Sequence, residues 1–390
     1  MIAALFWASV AGVAYTFAGY PLLIGLLARL RPRPVRRRRV RPSVSVLIAA
    51  HDEAATIAAR IENCLALRYP ANRLEIVVAS DGSTDGTVQI AERYARATTG
   101  PRVRVLAYPR RRGKPSVLND SVPRCEGEIV VLGDARQRWD ADAVRHLTEN
   151  FGDPGVGAAS GELLLANDGG AAIGEGVGAY WRYEKLIRRA ESAVHSTVGP
   201  TGAIYAIRRA LFAPIPEDTL CDDVLIPLAI ARRGYRVVFD GRAHAHDRVA
   251  VSAREEYRRK VRTIAGVAQI FARERWLWLP THALWVQALS HKLARLAAPF
   301  LMLGALATSA LLAPDHALYA ALFTLQLAFY GMAALGGVMS GRRGRIARLA
   351  GIPYAFCLLN LTTISALARY ATGRQTVRWR KAAETRLEAA

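Results

Sequence analysis

The stretch LEIVVASDGSTDGT, residues 74–87, is an apolar run that leads directly into a polar loop containing two glycines. The run Leu74–Ala79 is typical of a strand buried on both faces of a parallel sheet. In the loop Asp81–Thr87, the glycines allow a tight turn, and Thr84 or Asp85 can cap the helix that follows. The stretch therefore predicts one strand–loop–helix unit of an α/β fold.

Strand-like runs and helix-like segments alternate from residue 43 to about residue 250. The other strand-like runs are Ser43–Ala50, Arg102–Ala107 and Glu128–Leu132. This alternation predicts a mostly parallel sheet with helices on both faces. Sheets of this class bind ligands at the carboxyl ends of their strands. The polar clusters at those ends are His51-Asp52-Glu53, Asp81–Gly86 and Gly133–Arg136.

The charged residues are unevenly distributed along the chain. Its 390 residues include 53 Lys and Arg against 32 Asp and Glu, a net charge of +21, and 52% are hydrophobic. Four stretches carry no charge, and about 20 such residues suffice to cross a bilayer. They are Met1–Ala28, Leu296–Pro314, Ala317–Gly341 and Leu349–Ala368. This segregation excludes an ordinary soluble globule, a disordered chain and a fibre, and it predicts a charged domain between membrane segments.

Seven arginines follow the first uncharged stretch, in the segment Arg31–Arg41. Basic residues beside a span lie on the cytoplasmic side of the membrane. We therefore expect the N-terminus outside and this segment inside, against anionic lipid head groups. A nucleic-acid partner is not expected, since such a role would need a recognition module and the sequence contains none.

A cysteine placed at position 33 (Arg33→Cys) tests this orientation. In intact cells it should be protected from a membrane-impermeant maleimide, because the arginine-rich side faces the cytoplasm. Labelling should appear only after the cells are permeabilised. Labelling of intact cells would reverse the orientation.

The last uncharged stretch, Leu349–Ala368, leaves two topologies open. It contains four Asn, Thr and Ser residues, and five basic residues follow it in the segment 372–390. If it spans, that basic tail lies outside, against the positive-inside rule. If it is buried or re-entrant, the tail stays in the cytoplasm.

Two residues near predicted strand ends suit the binding of a diphosphate. Lys114 precedes the helix-like segment Pro115–Ser121, and a cation at a helix N-terminus can bind phosphate. A solvated lysine in a basic loop is the alternative. Asp134 ends the fourth strand, where its carboxylate can bind a divalent cation that bridges a diphosphate. A helix cap is the alternative for Asp134, but Asp140 fits that cap better.

The pair Asp222-Asp223 precedes a helix-like segment, Val224–Arg232. Neighbouring carboxylates repel each other, which raises the pKa of one towards that of a useful general base. Alternatively, the pair caps the helix and interacts with its dipole. His246 is a candidate metal ligand if it lies on a strand, although a histidine with ordinary partners is the alternative.

These motifs, in this order, resemble those of the membrane-integrated family 2 glycosyltransferases. The matching segments are Ser45–Glu53, Asp81–Thr87, Gly133–Arg136, Gly199–Gly202 and Asp222-Asp223. That group has the GT-A fold and includes cellulose, chitin-oligosaccharide and hyaluronan synthases. The resemblance covers about residues 40–275 and extends to the flanking uncharged stretches. It implies a GT-A, nucleotide-sugar-binding domain combined with α-helical transmembrane segments.

The resemblance implies a segment order and a role for each matched residue. The segments are an N-terminal transmembrane helix (1–30), a basic juxtamembrane linker (31–42), a GT-A catalytic domain (43–250), amphipathic interfacial helices (251–295), C-terminal transmembrane helices (296–371) and a basic tail (372–390). The implied donor-binding residues are Ala50, His51, Glu53, Asp81, Gly82, Lys114 and Asp134. Asp223 would be the general base, with Asp222 beside it, and Asp134 would bind Mg²⁺ or Mn²⁺. Thr201 and Gly202 would lie on the acceptor side.

Two positions depart from the patterns of that group. Arg136 stands where the DxD motif has its second Asp, so Asp134 would act with another ligand such as His246, or Arg136 would partly replace the cation. The Gln-x-x-Arg-Trp motif of the polysaccharide synthases is expected to be absent, with Arg258–Thr263 roughly in its place, which counts against processive synthesis and channel coupling. Arg259 and Arg262 in that segment are predicted to contact the diphosphate or a phosphorylated lipid acceptor. The same segment also fits an amphipathic helix on anionic lipid.

The sequence therefore predicts an inverting glycosyltransferase on the cytoplasmic side of a bacterial plasma membrane. It would transfer a sugar from a nucleotide-sugar, a UDP-sugar, to a growing glycan in exopolysaccharide or cell-envelope synthesis, alongside partners for polysaccharide export. Two alternatives stay open. One is transfer to a polyprenyl or other lipid acceptor. The other is a degenerate, non-catalytic scaffold for polysaccharide export, which Arg136 favours.

Overall fold

The computed structural model describes residues 1–166, 172–248, 253–339 and 344–377. The chain divides into two compact units. Unit 1 comprises Met1–Leu30, Asn167–Ala190 and Val249–Gln375, and unit 2 comprises Arg31–Ala166, Glu191–Arg248 and Thr376–Ala390. The predicted basic tail lies outside the described residues beyond residue 377.

The principal helices and the strands are numbered in chain order over the described residues. The helices are α1 (Ile2–Leu30), α2 (Ile57–Leu65), α3 (Thr87–Ala97), α4 (Lys114–Ser121), α5 (Ala143–Glu149), α6 (Ala172–Val194), α7 (Asp222–Arg232), α8 (Ala253–Arg273), α9 (Trp285–Leu312), α10 (Ala317–Val338) and α11 (Arg345–Ala371). The strands are β1 (Val44–Ala50), β2 (Leu74–Asp81), β3 (Arg102–Tyr108), β4 (Ile129–Asp134), β5 (Arg138–Trp139), β6 (Val156–Ala166), β7 (Tyr205–Arg208) and β8 (Arg236–Arg248).

The strands of unit 2 form one mixed sheet in the order β3-β2-β1-β4-β7-β6-β8-β5. The four strands on the β3 side are parallel, as predicted. The other half is mixed, because β7 pairs antiparallel with both β4 and β6, β8 pairs parallel with β6, and β5 pairs antiparallel with β8. The predicted mostly parallel α/β fold is confirmed, with antiparallel pairing confined to strands whose runs are short or interrupted by glycine.

The central strand β1 brings the functional loops to one edge of the sheet. Its side chains at Val46 and Ile48 are fully buried, as expected for a strand covered on both faces. Ala50 pairs with Ser80 of β2, and Ala49 pairs with Asp134 of β4. Because these strands run in parallel, their carboxyl ends and the loops that follow them lie side by side.

Unit 1 contains four helices long and apolar enough to cross a membrane: α1, α9, α10 and α11. Three of them match the predicted stretches closely. Helix α9 differs, because it begins at Trp285, whereas the prediction ended the interfacial segment at residue 295 and began the span at Leu296. The charges of Lys292 and Arg295 do not end the helix, since both contact the buried carboxylate of Glu184.

The polar residues that made the last stretch ambiguous are accommodated within α11. The hydroxyls of Thr362, Thr363 and Ser365 donate to carbonyls four residues earlier, and Asn360 does the same through its amide nitrogen. Each polar group is thus satisfied by its own helix, which lowers the cost of placing it in an apolar environment.

The predicted amphipathic segment is confirmed as a helix, α8. Val261, Ala268 and Phe271 of the predicted apolar stripe are buried. Helix α8 packs against α11 within unit 1. Helix α6 belongs to the same unit up to Ala190, so the sheet domain is not the continuous segment 43–250 that was predicted.

Candidate active site

The loops after β1 and β2 are joined by side-chain contacts. His51 Nδ1 lies 2.7 Å from the carbonyl oxygen of Asp81, and Oδ1 of Asp52 accepts the N–H of Thr84 at 2.7 Å. The carboxylate of Asp85 accepts the N–H of Thr87 at 2.9 Å and that of Ala54 at 3.0 Å. The expectation that Thr84 or Asp85 caps α3 is wrong, because Gly86 holds the N-cap position. Asp85 instead joins the start of α3 to the loop after β1.

The carboxylate of Asp81 organises the basic loop that precedes Lys114. Its two oxygens accept the backbone N–H groups of Arg112, at 2.7 Å, and Gly113, at 2.8 Å. The next residue, Gly82, has φ +60°, and a Cβ there would lie 2.5 Å from the nitrogen of Arg111. Only glycine fits this approach. The predicted contact of Asp81 with the base and ribose stays a prediction.

Lys114 lies between two carboxylates. Its Nζ is 3.0 Å from Oδ1 of Asp134 and 3.2 Å from Oδ2 of Asp222. Burial opposes the charge on Lys114, yet these carboxylates raise its pKa above the ordinary value. An ammonium group is therefore held at the end of β4, at the N-terminus of α4. The structure brings together three predicted site residues that are far apart in sequence.

Asp223 lies beside the loop that follows Pro200. A Cβ on Gly202 would be 3.0 Å from Oδ2 of Asp223, and the backbone N–H of Gly202 donates to this carboxylate. Burial first, and then the charges of Asp222 and Asp134, raise the pKa of Asp223 to about 6, against the opposing effect of Lys114. The predicted pKa rise within the carboxylate pair therefore occurs at Asp223.

Thr201 and Gly202, predicted for the acceptor side, are fixed by backbone contacts. Thr201 donates its N–H to Ser160 Oγ at 3.1 Å, which joins this loop to β6. The loop thus lies against the carboxylate of Asp223, and its role on the acceptor side stays a prediction. The predicted phosphate ligands Arg259 and Arg262 lie on α8, which belongs to unit 1. Their role stays a prediction.

The side chain of Trp139 is buried between Gly133 of β4 and the backbone of Ala203. This packing role was not predicted from the sequence. The residue is 1% exposed, and its indole N–H donates to the carbonyl of Ala203 at 3.0 Å. Asn63 holds the backbone of Trp139 through two hydrogen bonds, and the guanidinium of Arg60 lies 3.8 Å from the indole centroid. The only sequence signal was one large aromatic residue inside a charged segment.

The position of the Trp139 indole explains why residue 133 is glycine. A Cβ there would lie 2.4 Å from Cζ2 of Trp139 and 2.9 Å from the carbonyl oxygen of Ala203. Gly133→Ala should therefore lower the free energy of unfolding by about 1–3 kcal/mol, as expected for overpacking. Thermal unfolding of the full chain in mild detergent should show a midpoint at least about 2 °C lower. The control is Gly100→Ala, where nothing lies within 4 Å of the new Cβ. Equal midpoints for the two variants would contradict the tight packing of Trp139 against residue 133.

The histidine predicted as a metal ligand has another partner. Nε2 of His246 lies 2.8 Å from Oδ1 of Asp140, and Nδ1 of His244 lies 2.9 Å from Oδ2. The expectation that Asp140 caps the following helix is wrong: α5 begins at Ala143 with Asp142 at its N-cap position. Arg136 does not replace a cation beside Asp134 here, because its Nε donates to Asp247 at 3.1 Å.

The expectation that the Gln-x-x-Arg-Trp motif is absent is wrong, because the sequence contains this pattern after α11, at residues 375–379. Its described part, up to Val377, approaches the Lys114 loop: a Cβ on Gly113 would lie 3.5 Å from Cγ1 of Val377. Direct comparison of the tail with the motif would have found it.

Comparison with known proteins agrees with this geometry. Residues 45–213 match the family described as Glycosyl transferase family 2. A probable glycosyltransferase, YdaM, of Bacillus subtilis is 25% identical over 51% of this chain and 49% of its own length. Poly-β-1,6-N-acetyl-D-glucosamine synthase of Staphylococcus aureus is 23% identical over 59% of this chain and 56% of its own length. The chain thus spans about half the length of these curated relatives.

Among solved structures, the mannosyltransferase PcManGT of Pyrobaculum calidifontis, in complex with GDP-mannose and Mn²⁺, aligns with a TM-score of 0.73. The alignment covers 95% of this chain and 100% of the other at 24% identity, which establishes a shared fold. Together with the family match, this confirms the predicted recognition. Residues 45–213 therefore form a glycosyl transferase family 2 domain, in a chain with a GT-A-like fold.

Proposed function

We propose that this chain is an inverting glycosyltransferase, which transfers a sugar from a nucleotide-sugar to a hydroxyl of a growing glycan in envelope or exopolysaccharide synthesis. The observation that carries the proposal is the arrangement of charge at the sheet edge. An ammonium group at Lys114 suits the leaving diphosphate, and a carboxyl group of raised pKa at Asp223 suits the acceptor.

At the donor end, the residues fit a divalent cation at Asp134. Its carboxylate is a hard oxygen ligand of the kind that Mg²⁺ and Mn²⁺ prefer, and 12% of its side chain is exposed. Residues 1–166, 172–248, 253–339 and 344–377 contain no group of three or more His, Cys, Asp or Glu placed to hold a metal alone. The diphosphate would therefore supply the remaining oxygens. When bound, such a cation neutralises charge on the leaving group, while Lys114 donates to the phosphate oxygens.

At the acceptor end, Asp223 accepts the proton of the attacking hydroxyl. The new bond forms between the acceptor oxygen and the anomeric carbon as the bond from that carbon to the diphosphate breaks. Attack from the face opposite the leaving group inverts the anomeric centre. Asp222 remains bound to Lys114 and favours the raised pKa of its neighbour.

The pH dependence of turnover should report on Asp223. Its pKa is raised to about 6 from the ordinary 3.8, so the basic form prevails above pH 6 and is lost below it. Turnover should fall about tenfold per pH unit below 6. Asp222→Asn removes a charge that raises this pKa, so its acid limb should move to lower pH. A wild-type acid limb near pH 4 would contradict the assignment. Rates are measured at saturating donor between about pH 3.5 and 8.

The test of the proposed function is nucleoside diphosphate release by the purified full chain across a panel of nucleotide-sugars, with and without Mg²⁺ or Mn²⁺. A UDP-sugar is the proposed donor. GDP-mannose belongs in the panel, because the solved mannosyltransferase of like fold holds it together with Mn²⁺. No release above hydrolysis of the free donor, with any acceptor glycan or lipid, would favour the non-catalytic scaffold.

Transfer to a lipid acceptor is the second candidate. Four helices long and apolar enough to span a membrane support a membrane protein, and the arginine-rich segment favours the cytoplasmic side of a bacterial plasma membrane for unit 2. A glycan product is favoured by the relative named poly-β-1,6-N-acetyl-D-glucosamine synthase. Extraction of labelled product into organic solvent distinguishes a lipid-linked sugar from a water-soluble glycan.

A further inference from the structure

Unit 1 contains a buried carboxylate surrounded by basic groups. Glu184, on α6, is 3% exposed. Its oxygens lie 2.5 Å from Nη1 of Arg295, 2.9 Å from Nε2 of His291 and 3.5 Å from Nζ of Lys292, all on α9. Nε of Arg188, one turn along α6, lies 3.7 Å away. Burial opposes the charge on Glu184, yet these cations hold its pKa well below the ordinary range.

Several buried donors in this cluster have no acceptor among the described residues. They are Nε and Nη2 of Arg295, Nε of Arg188 and the indole N–H of Trp181. The carboxylate of Glu184 is the anionic group that the structure brings close to both Arg188 and Arg295. A buried donor that lacks an acceptor costs about 1–3 kcal/mol, and more when it is charged. The cluster therefore contains buried donors that the described side chains leave without an acceptor.

The helices that carry the cluster are locally distorted. Helix α9 has a π-helical turn at Ala288–Leu293, which includes two of the residues that contact Glu184, and α1 has one at Tyr15–Gly19. Tyr183 donates its hydroxyl to the carbonyl of Phe17, which lies in the π-helical turn of α1, at 2.9 Å. Such turns are frequent at functional sites. Three helices therefore converge on this point of unit 1.

Aromatic rings and a further cation complete the surroundings. Nζ of Lys260 lies 4.8 Å from the ring centroids of both Tyr180 and Trp181. The guanidinium of Arg295 lies 5.9 Å from the ring of Tyr180 and 5.4 Å from that of Tyr183. The basic helix α8 thus meets the same cluster through Lys260. Cation–π contacts orient these groups but supply no anion.

We infer that this cluster binds the phosphate group of a lipid phosphate monoester. A phosphate monoester carries close to two negative charges at neutral pH, and its oxygens can accept from both guanidinium groups. Lys292 and Arg295 lie in the first eleven residues of α9, a helix long and apolar enough to span a bilayer. Charged groups near the end of such a helix reach the depth of lipid head groups. The inference does not depend on the sugar chemistry assigned to unit 2.

Dodecyl phosphate is the probe, titrated into the full chain in a neutral detergent, with dodecanol and inorganic phosphate as the other arms. Dodecyl phosphate should bind, and Arg188→Gln and Arg295→Gln should each weaken it at least tenfold. Arg182→Gln is the matched control, because it removes the same charge from an exposed position of the same helix. It should bind dodecyl phosphate as the wild type does, which also corrects for partition of the probe into micelles.

Each outcome decides the inference. Equal affinity for inorganic phosphate would replace the lipid with a free phosphate and overturn the lipid assignment. Binding that Arg188→Gln and Arg295→Gln leave unchanged would make the cluster purely structural. If those variants do not fold, Trp181→Phe removes one orphaned donor with little change of shape, and it should weaken binding at least threefold. A Trp181→Phe protein with wild-type affinity would contradict the site.

Discussion

Asp223→Asn is expected to lower turnover by about 10²–10⁴-fold, the usual contribution of a general base. The substitution keeps the shape of the side chain and its contact with Gly202, but an amide cannot accept a proton from the acceptor hydroxyl. Affinity for UDP should change little, because the diphosphate is assigned to Lys114 and Asp134. A loss confined to turnover is the signature of an interaction made only in the transition state.

The measurement is steady-state UDP release with saturating donor and acceptor, paired with calorimetry of UDP binding. Glu92→Gln is the matched control, since it removes one carboxylate charge from an exposed helix position in unit 2. Near wild-type turnover of Asp223→Asn would transfer the base assignment to Asp222. The geometry favours Asp223 as the base, because the carboxylate of Asp222 already contacts Lys114 at 3.2 Å.

The parallel half of the sheet could be predicted because each of its strands is marked by residues that are neighbours in the sequence. Each strand from β1 to β4 is a short apolar run, and each is followed by a polar cluster, so periodicity and turn residues agree. The positions of Asp81 and Asp134 then follow from the rule that parallel strands end at one edge. The pKa of Asp223 is raised first by burial, which the sequence does not reveal, and then by the adjacent Asp222, which the sequence does show.

The surroundings of Trp139 and Asp140 and the start of helix α9 depend on contacts between residues far apart in sequence. Nothing near Trp139 in sequence reveals that its indole reaches Ala203, or that Gly133 must leave room for it. The Asp140 contacts with two histidines arise from the antiparallel pairing of β5 with β8, which no local pattern encodes. Helix α9 was predicted to begin too late for the same reason. The charges that made Lys292 and Arg295 look like interfacial residues are compensated by Glu184, more than 100 residues earlier.

Asp134→Ala is expected to abolish the metal dependence of UDP binding. Truncating one partner of a buried charge pair costs about 2–5 kcal/mol, roughly a 30- to 5000-fold loss of affinity. The loss should appear in calorimetry of UDP with Mn²⁺ and should be small without metal, because Lys114 still meets the diphosphate. Arg136→Ala is the control: its partner is Asp247, so it should keep the metal dependence.

Equal UDP affinity of the wild type with and without metal would change the chemistry assigned to this site. Lys114 would then be the cation that neutralises the leaving group, and Asp134 would serve to hold it, as the 3.0 Å contact allows. In that case Lys114→Met should weaken UDP binding more than Asp134→Ala does. With a metal at Asp134 the order should be reversed in the presence of Mn²⁺, because Asp134 would then hold the ion that neutralises charge on the leaving group.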